Sequence, residues 1–266
     1  MTVHVVGAGG MLGQDVMRAA GAGAVGLTRA ELDVTDASAV REALAGSVVV
    51  NCAGYTDVDG AEADPERAHE VNAGGARNVA EVAARVIYIS TDYVFDGSKA
   101  GPYVESDPVN PLSAYGRSKL AGERATLTAS PHSLVVRTSW LFGAGGGNFV
   151  ATMLRLGEER GAVEVVDDQV GSPTFTGHLA DALWALASGG RHGFLHVAGG
   201  GSCSWFDFAR AIFERAGVEC AVEPQTTAEL GRPAPRPANS VLRSERDAPE
   251  LPAWQEGLDA YMGVRA

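Results

Sequence analysis

Along the first half of the chain, short apolar runs alternate with longer segments whose apolar positions recur every three or four residues. Thr2–Val6, Ala24–Thr28, Ser47–Asn51, Val86–Ser90 and Ser133–Thr138 read as strands. The stretch ending near Ala20, Ala37–Ala45 and two later segments read as helices. One of these is opened by Asp64-Pro65 and runs to about Arg85; the other is capped by Ser113 and runs to about Leu127. Asp64 suits the N-cap and Pro65 the first helical position, where a missing N–H costs nothing. Thr35-Asp36 opens Ala37–Ala45 in a similar way. Strands alternating with helices predict an α/β fold with a parallel sheet covered on both faces.

The second half is less regular. Helices are predicted over Asn148–Arg160, His178–Ser188, Ser204–Ala216 (Ser204 as N-cap) and Pro252–Met262, with strands over Ala162–Val166 and Phe194–Val197. Pro224–Arg246, rich in Pro and Arg, reads as irregular surface chain. No repeat, low-complexity tract or flexible linker separates the halves. The expected division is residues 1–145 as a nucleotide-binding core and 146–266 as remaining sheet and helix elements. The latter would also supply a smaller, mainly C-terminal substrate lobe, interleaved with the core.

Composition narrows the partners. Net charge is −12, which argues against the basic surface of a nucleic-acid binder. No apolar run is long enough to span a membrane. A strand pattern starting at Thr2 leaves no signal peptide, and Cys52, Cys203 and Cys220 form no CxxC pair. A cytoplasmic protein without disulfides or a metal is therefore expected. Glycine is unusually frequent, at 34 of 266 residues.

Three of those glycines carry chemistry. Gly7, Gly10 and Gly13 lie between the first strand and the first helix. There the chain must turn sharply, admit a pyrophosphate against bare backbone and aim helix N–H groups at it. This context predicts a Rossmann-type dinucleotide site, with Met11 and Leu12 in the turn. At the end of the second strand, Arg29 suits the 2′-phosphate of NADP better than an acid would. Asp33 caps the next turn or sits near the adenine with Val34. NADPH is expected, with NADH possible.

Tyr115 and Lys119 share a helix face at i and i+4. A tyrosine at its usual pKa of ~10 is a poor acid–base catalyst, and a neighbouring lysine cation lowers that pKa. Ser90-Thr-Asp-Tyr-Val-Phe-Asp-Gly97 ends a strand at the carboxyl edge of the sheet, where α/β folds bind ligands. Thr91 can there hydrogen-bond a substrate carbonyl beside Tyr115.

Together these elements resemble the extended short-chain dehydrogenase/reductases. The segments Val50–Asp59, Ser90–Gly97, Tyr115–Glu123, Arg137–Leu141, Asp168–Thr174 and Arg236–Leu242 resemble, in order, those of the dTDP-4-dehydrorhamnose reductases. The resemblance implies NADPH-dependent reduction of the 4-keto group of a dTDP-4-keto-6-deoxy sugar. It implies that Tyr115 protonates the carbonyl oxygen, Lys119 holds the ribose and tunes Tyr115, and Thr91 orients the carbonyl. Asn51, Ala53 and Gly54 would line the cofactor. Val58, Asp59, Asp92, Tyr93 and Trp140 would approach the sugar, and Arg236 and Asn239 the nucleotide or its phosphates. Trp140 could equally serve core packing.

Some family members are metal-linked dimers held by acidic side chains. Asp15 matches one such position approximately, but Phe175-Thr-Gly-His178 supplies no acid, so no metal is expected and the chain is a monomer or homodimer. His192 and His196 read as structural. A 4,6-dehydratase would carry Glu where Tyr93 stands, and an epimerase a serine-rich turn in place of STDYVF. A non-catalytic NADP-binding regulatory subunit is the alternative of a different class. The pathway stays open between dTDP-L-rhamnose and a secondary-metabolite or dihydrostreptose-type deoxysugar.

Overall fold

The computed structural model describes residues 2–265; Met1 and Ala266, the outer ends of the two predicted ranges, lie outside the described residues. In chain order the elements of the first half are β1 (Val3–Val6), α1 (Met11–Ala20), β2 (Ala24–Leu27), α2 (Ala37–Leu44), β3 (Val48–Asn51), α3 (Gly60–Ala63), α4 (Pro65–His69), α5 (Gly75–Val82), β4 (Arg85–Thr91), α6 (Ala114–Ala129), β5 (Leu134–Thr138) and β6 (Leu141–Phe142). There follow α7 (Phe149–Glu159), β7 (Ala162–Val166), β8 (Val170–Gly171), β9 (Thr174–Phe175), α8 (Thr176–Ala187), β10 (Gly193–His196), β11 (Cys203–Ser204), α9 (Trp205–Ala216), β12 (Ala221–Gln225), α10 (Thr227–Leu230) and α11 (Trp254–Arg265).

Six strands form one parallel sheet in the order β2-β1-β3-β4-β5-β10. Alternating side chains leave its two sides to different helices. Val5, Val50, Ile87, Ile89 and Val136 pack against Leu12 and Val16 of α1 and Leu179 and Leu183 of α8. Their neighbours Val6, Val49, Val86, Tyr88 and Val135 pack with Val40 and Leu44 of α2 and Val79 and Ala80 of α5. The sheet is thus doubly wound, as the sequence pattern predicts. A separate core of Phe142, Val150, Val163, Phe208, Ile212 and Leu258 joins α7, α9 and α11 to the short β7–β12 pair. The edge strand β10 comes from beyond residue 146, so the later range contributes to the main sheet.

The helix predicted from 64 to 85 is not uniform. A π-helical turn, Glu70–Gly74, separates α4 from α5, and the helix ends at Val82. Asn72 is the physical reason. Its side-chain amide donates to the Tyr55 carbonyl (3.0 Å) and to Ser118 Oγ (2.9 Å), and its Oδ1 accepts from the Tyr55 N–H (2.8 Å). The widened turn aims the buried amide at these partners instead of along a regular ladder. The segment from Pro224 is also more ordered than predicted. It begins in β12 and continues into α10, which Thr226 and Glu229 close with a reciprocal capping box. The last helix runs to Arg265, beyond the predicted Met262.

Candidate active site

The strand order reverses at β1, and the crevice at the carboxyl ends of β1 and β3 is where a doubly wound sheet receives ligands. Gly7 turns the chain there with φ of +79°, and a Cβ on it would fall 2.7 Å from the Ala53 nitrogen. A Cβ on Gly13 would fall 2.2 Å from the Gly7 carbonyl oxygen. Gly10 is the N-cap of α1 and offers no side-chain cap, so the first N–H groups of the helix keep their donor capacity for a ligand. This close-packed glycine cradle fits the pyrophosphate of a dinucleotide.

Two adjoining cavities, of about 790 and 660 Å³, share Gly9, Gly10, Cys52, Ala53, Gly54 and Thr56. The larger extends over Thr28, Arg29, Leu32, Asp33, Arg67 and Val71. The other runs past Met11, Leu12 and Gly13 to Thr91, Asp92, Tyr115, Lys119 and Trp140. The cofactor turn and the Thr–Tyr–Lys set therefore share one continuous crevice.

Thr91 ends β4 and caps the short turn after it, its Oγ accepting the Tyr93 N–H at 3.2 Å. Its hydroxyl donates to Asp92 Oδ1 at 3.0 Å. Ser113 caps α6 by accepting the Gly116 N–H, and one helix face then presents Tyr115 and Lys119. The Lys119 ammonium donates to the Ile89 carbonyl at 2.6 Å and lies 4.3 Å above the centre of the Tyr88 ring. One turn further along α6, wholly buried Glu123 accepts from Arg137 through both oxygens at 2.8 Å and from Ser90 Oγ at 2.6 Å.

The electrostatics of this wall differ from the sequence expectation. The Tyr115 phenol is pushed up to about 12, mainly by burial; its hydrogen bond with Thr91 pulls the other way and the Asp92 charge adds to the rise. The sequence pattern predicts a phenol lowered by Lys119; burial raises it instead. Lys119 itself is brought down to about 8 by burial, against the opposing charge of Glu123. Burial also lifts Asp92 to about 7, although hydrogen bonds from Ser240 and Thr91 favour its charged form.

Of the residues predicted for the site, Gly7, Gly10, Met11, Leu12, Gly13, Arg29, Asp33, Ala53, Gly54, Thr91, Asp92, Tyr115, Lys119 and Trp140 line the crevice. Seven others are not among the residues that line it. Val34 is buried in the core with Val40 and Leu44. Asn51 is buried and accepts the Ala53 N–H, bracing the loop rather than lining it. Val58 lies half-buried in the turn before α3. Asp59 and Arg236, both expected to face the ligand, face each other in a two-pronged ion pair at 3.0 Å. Arg232 joins them at 3.2 Å. Tyr93 sets its ring edge-on to that of Tyr115, with centroids 5.9 Å apart. Asn239 donates to the Lys99 and Gly101 carbonyls and so fastens a loop.

Several lining residues were not anticipated. Arg67 adds a second cation to the outer cavity, and Gly145, Gly146 and Gly147 wall the inner one. The glycine loop is held by Gln14, which donates to the Gly145 carbonyl, and by Asn148, which donates to the Gly143 and Gly146 carbonyls. Run length alone signalled that loop, since nothing in its composition points to a ligand. Asp33 accepts from the Thr35 N–H and hydroxyl, the capping role foreseen for it, and these bonds hold its carboxyl below the usual range. His196 lies buried between the Tyr103 and Arg243 carbonyls and Arg137. Asp15 is engaged by Arg18 and Thr176. Among the described residues no three His, Cys, Asp or Glu side chains group as metal ligands, and no helix is long and apolar enough to cross a membrane.

Residues 1–264 match the RmlD substrate binding domain family. The chain is 48% identical to a dTDP-4-dehydrorhamnose reductase of Mycolicibacterium smegmatis, over 98% of this chain and 85% of that protein. It is 47% identical to one of Mycobacterium tuberculosis, over 98% and 92% of the two chains. A crystal structure of a Bacillus anthracis dTDP-4-dehydrorhamnose reductase in complex with NADP superposes with a TM-score of 0.95 at 37% identity, covering both chains completely. The chain belongs to the dTDP-4-dehydrorhamnose reductase family.

Proposed function

We propose that the protein reduces the 4-keto group of a dTDP-4-keto-6-deoxyhexose with NADPH, giving dTDP-L-rhamnose or a closely related dTDP-deoxysugar. The observation that carries this reading is the single crevice joining the glycine turn to Thr91, Tyr115 and Lys119. NADPH supplies the hydride when bound. Gly7, Gly10 and Gly13 would hold its pyrophosphate, and Arg29 and Arg67 give the outer cavity the positive charge that a 2′-phosphate requires.

Tyr115 stays protonated at neutral pH, because burial holds its phenol up at about 12. It is therefore an acid ready to donate to a carbonyl oxygen that gains charge as the ketone becomes an alcohol. Thr91 contributes a second hydroxyl beside it. Lys119 supplies positive charge on the same helix face, which favours the tyrosinate left by proton transfer. NADH serves as a weaker reductant in this reading. The partner is a small sugar nucleotide, not a nucleic acid, and the working unit is a cytoplasmic monomer or homodimer.

The test is NADPH oxidation by the purified protein with dTDP-4-keto-6-deoxyhexose, followed by assignment of the product's configuration at carbon 4. Tyr115→Phe should lower kcat by about 10²–10⁴-fold while NADPH still binds. Full activity in that variant would remove the proton-donor role. Bound NADPH without turnover in the unaltered protein would replace the enzyme reading with that of a binding subunit.

A further inference from the structure

Trp140 is the only non-glycine residue with positive φ among the described residues, at +47°. For a bulky side chain this conformation is strained and persists only where surrounding contacts enforce it. Two contacts do so. The Trp205 indole, at the start of α9, stacks on Trp140 with centroids 3.5 Å apart and planes within 5°. On Gly171, a Cβ would fall 2.3 Å from Trp140 Cε2 and 2.6 Å from both Cζ2 and Nε1. A point nearer to Cε2 than to its two ring neighbours lies above the ring plane, not at its edge. Gly171 therefore covers one face of Trp140 and Trp205 the other.

Trp140 lines the inner cavity and Trp205 does not. Trp205 is fixed in turn: its indole N–H donates to Gln169 Oε1 at 3.2 Å, and Phe149 packs on it with centroids 4.5 Å apart. Gln169 also donates to Thr227, at the start of α10. Gln169 thus fixes Trp205 and Gly171 abuts Trp140, which lines the crevice that contains Tyr115.

We propose that Trp205, from the C-terminal lobe and outside the lining of the inner cavity, is a positioning residue for sugar binding. Together with Gly171 it clamps the Trp140 indole in its strained backbone conformation, so that a rigid edge of Trp140 sets where the hexose ring lies relative to Tyr115. This inference rests on the ketoreductase reading given above.

The test combines steady-state kinetics with a double-mutant cycle on the full chain. Trp205→Ala should raise KM for the dTDP-4-keto-6-deoxyhexose by about ten-fold, equivalent to about 1.4 kcal/mol. The Kd for NADPH should be unchanged, and Trp205→Phe should restore most of the loss. Trp140→Phe should also raise KM, and the double variant should lose less than the product of the two single losses, because the residues act as one unit. Gly171→Ala presses on the opposite face of the ring and should raise KM without touching Trp205, which covers the case in which Trp205→Ala fails to fold. A near-normal KM in both Trp205→Ala and Gly171→Ala, or multiplicative losses in the cycle, would overturn the clamp while leaving the reductase reading intact. Absence of ketone reduction in the unaltered protein would instead overturn the reading beneath it.

Discussion

Replacing Arg137 by methionine removes a guanidinium from the most enclosed ion pair among the described residues. Arg137 is 3% exposed and Glu123 0%. Methionine keeps an apolar stem between Phe95 and Phe194, whose ring centres lie 5.2 and 4.6 Å from the guanidinium carbon. Glu123 would then retain only the Ser90 hydroxyl as a donor. Removing one partner of a buried pair costs about 3–5 kcal/mol, because the other charge stays dehydrated and loses its directly bonded counter-charge. For a chain of this size each kcal/mol lowers the unfolding midpoint by about 2–4 °C, so a fall of roughly 6–20 °C is expected. Thermal unfolding followed by far-UV circular dichroism measures it. The double variant Glu123→Gln/Arg137→Met, which removes both charges, should recover more than half of the loss. A fall of less than about 2 °C in the single variant would refute the reasoning, since the pair would then behave like an exposed one.

Other outcomes follow from individual side chains. Asp92 has a folded-state pKa of about 7, above its ordinary 3.8, so the folded protein holds its proton where the unfolded chain has released it. Stability therefore falls as pH rises from about 4 to 7. Asp92→Asn should stabilise the protein at pH 8 by an amount on the order of a few kcal/mol and have no such effect at pH 4, as read from denaturant midpoints at the two pH values. Gly13→Ala places a methyl 2.2 Å from the Gly7 carbonyl oxygen and 2.8 Å from the Ala8 Cα, backbone atoms that cannot swing aside. NADPH affinity, measured by fluorescence titration, should weaken at least about ten-fold, or 1.4 kcal/mol. Gly74→Ala, which faces open space, should leave it unchanged.

The sheet was readable from the sequence because its signal is local. Val49–Val50 and Val86–Ile89 are buried, and such strands show as short unbroken apolar runs. The helix-capping residues Asp36, Asp64, Ser113 and Ser204 were equally legible, since each accepts an N–H two or three residues ahead. What escaped is non-local. Asn72 shapes its π turn through Tyr55 and Ser118, neither of which shares its helix. Asp59 and Arg236 each carry a charge suited to a ligand, and spacing could not reveal that they neutralise one another across the fold. The rise of the Tyr115 phenol has the same origin. It depends on how completely neighbours exclude water, a quantity that the YxxxK pattern does not contain. The capping box at Thr226 and Glu229, by contrast, was present as a T-x-x-E motif within a stretch read only for its Pro and Arg.

The position of β10 constrains how this protein is made. Its partner β5 is complete at Thr138, but the strand that covers its outer edge is not synthesised until His196. At roughly 5–20 residues per second, the nascent sheet waits seconds with an apolar, unpaired strand at its border. During that interval the chain already contains every residue of the Thr91–Tyr115–Lys119 set, yet it cannot complete the sheet on which they stand. Truncation at the end of the nucleotide-binding half should therefore yield an aggregating fragment in place of a minimal cofactor-binding domain, and synonymous slowing of translation between residues 138 and 196 should lower soluble yield without altering any residue of the finished enzyme.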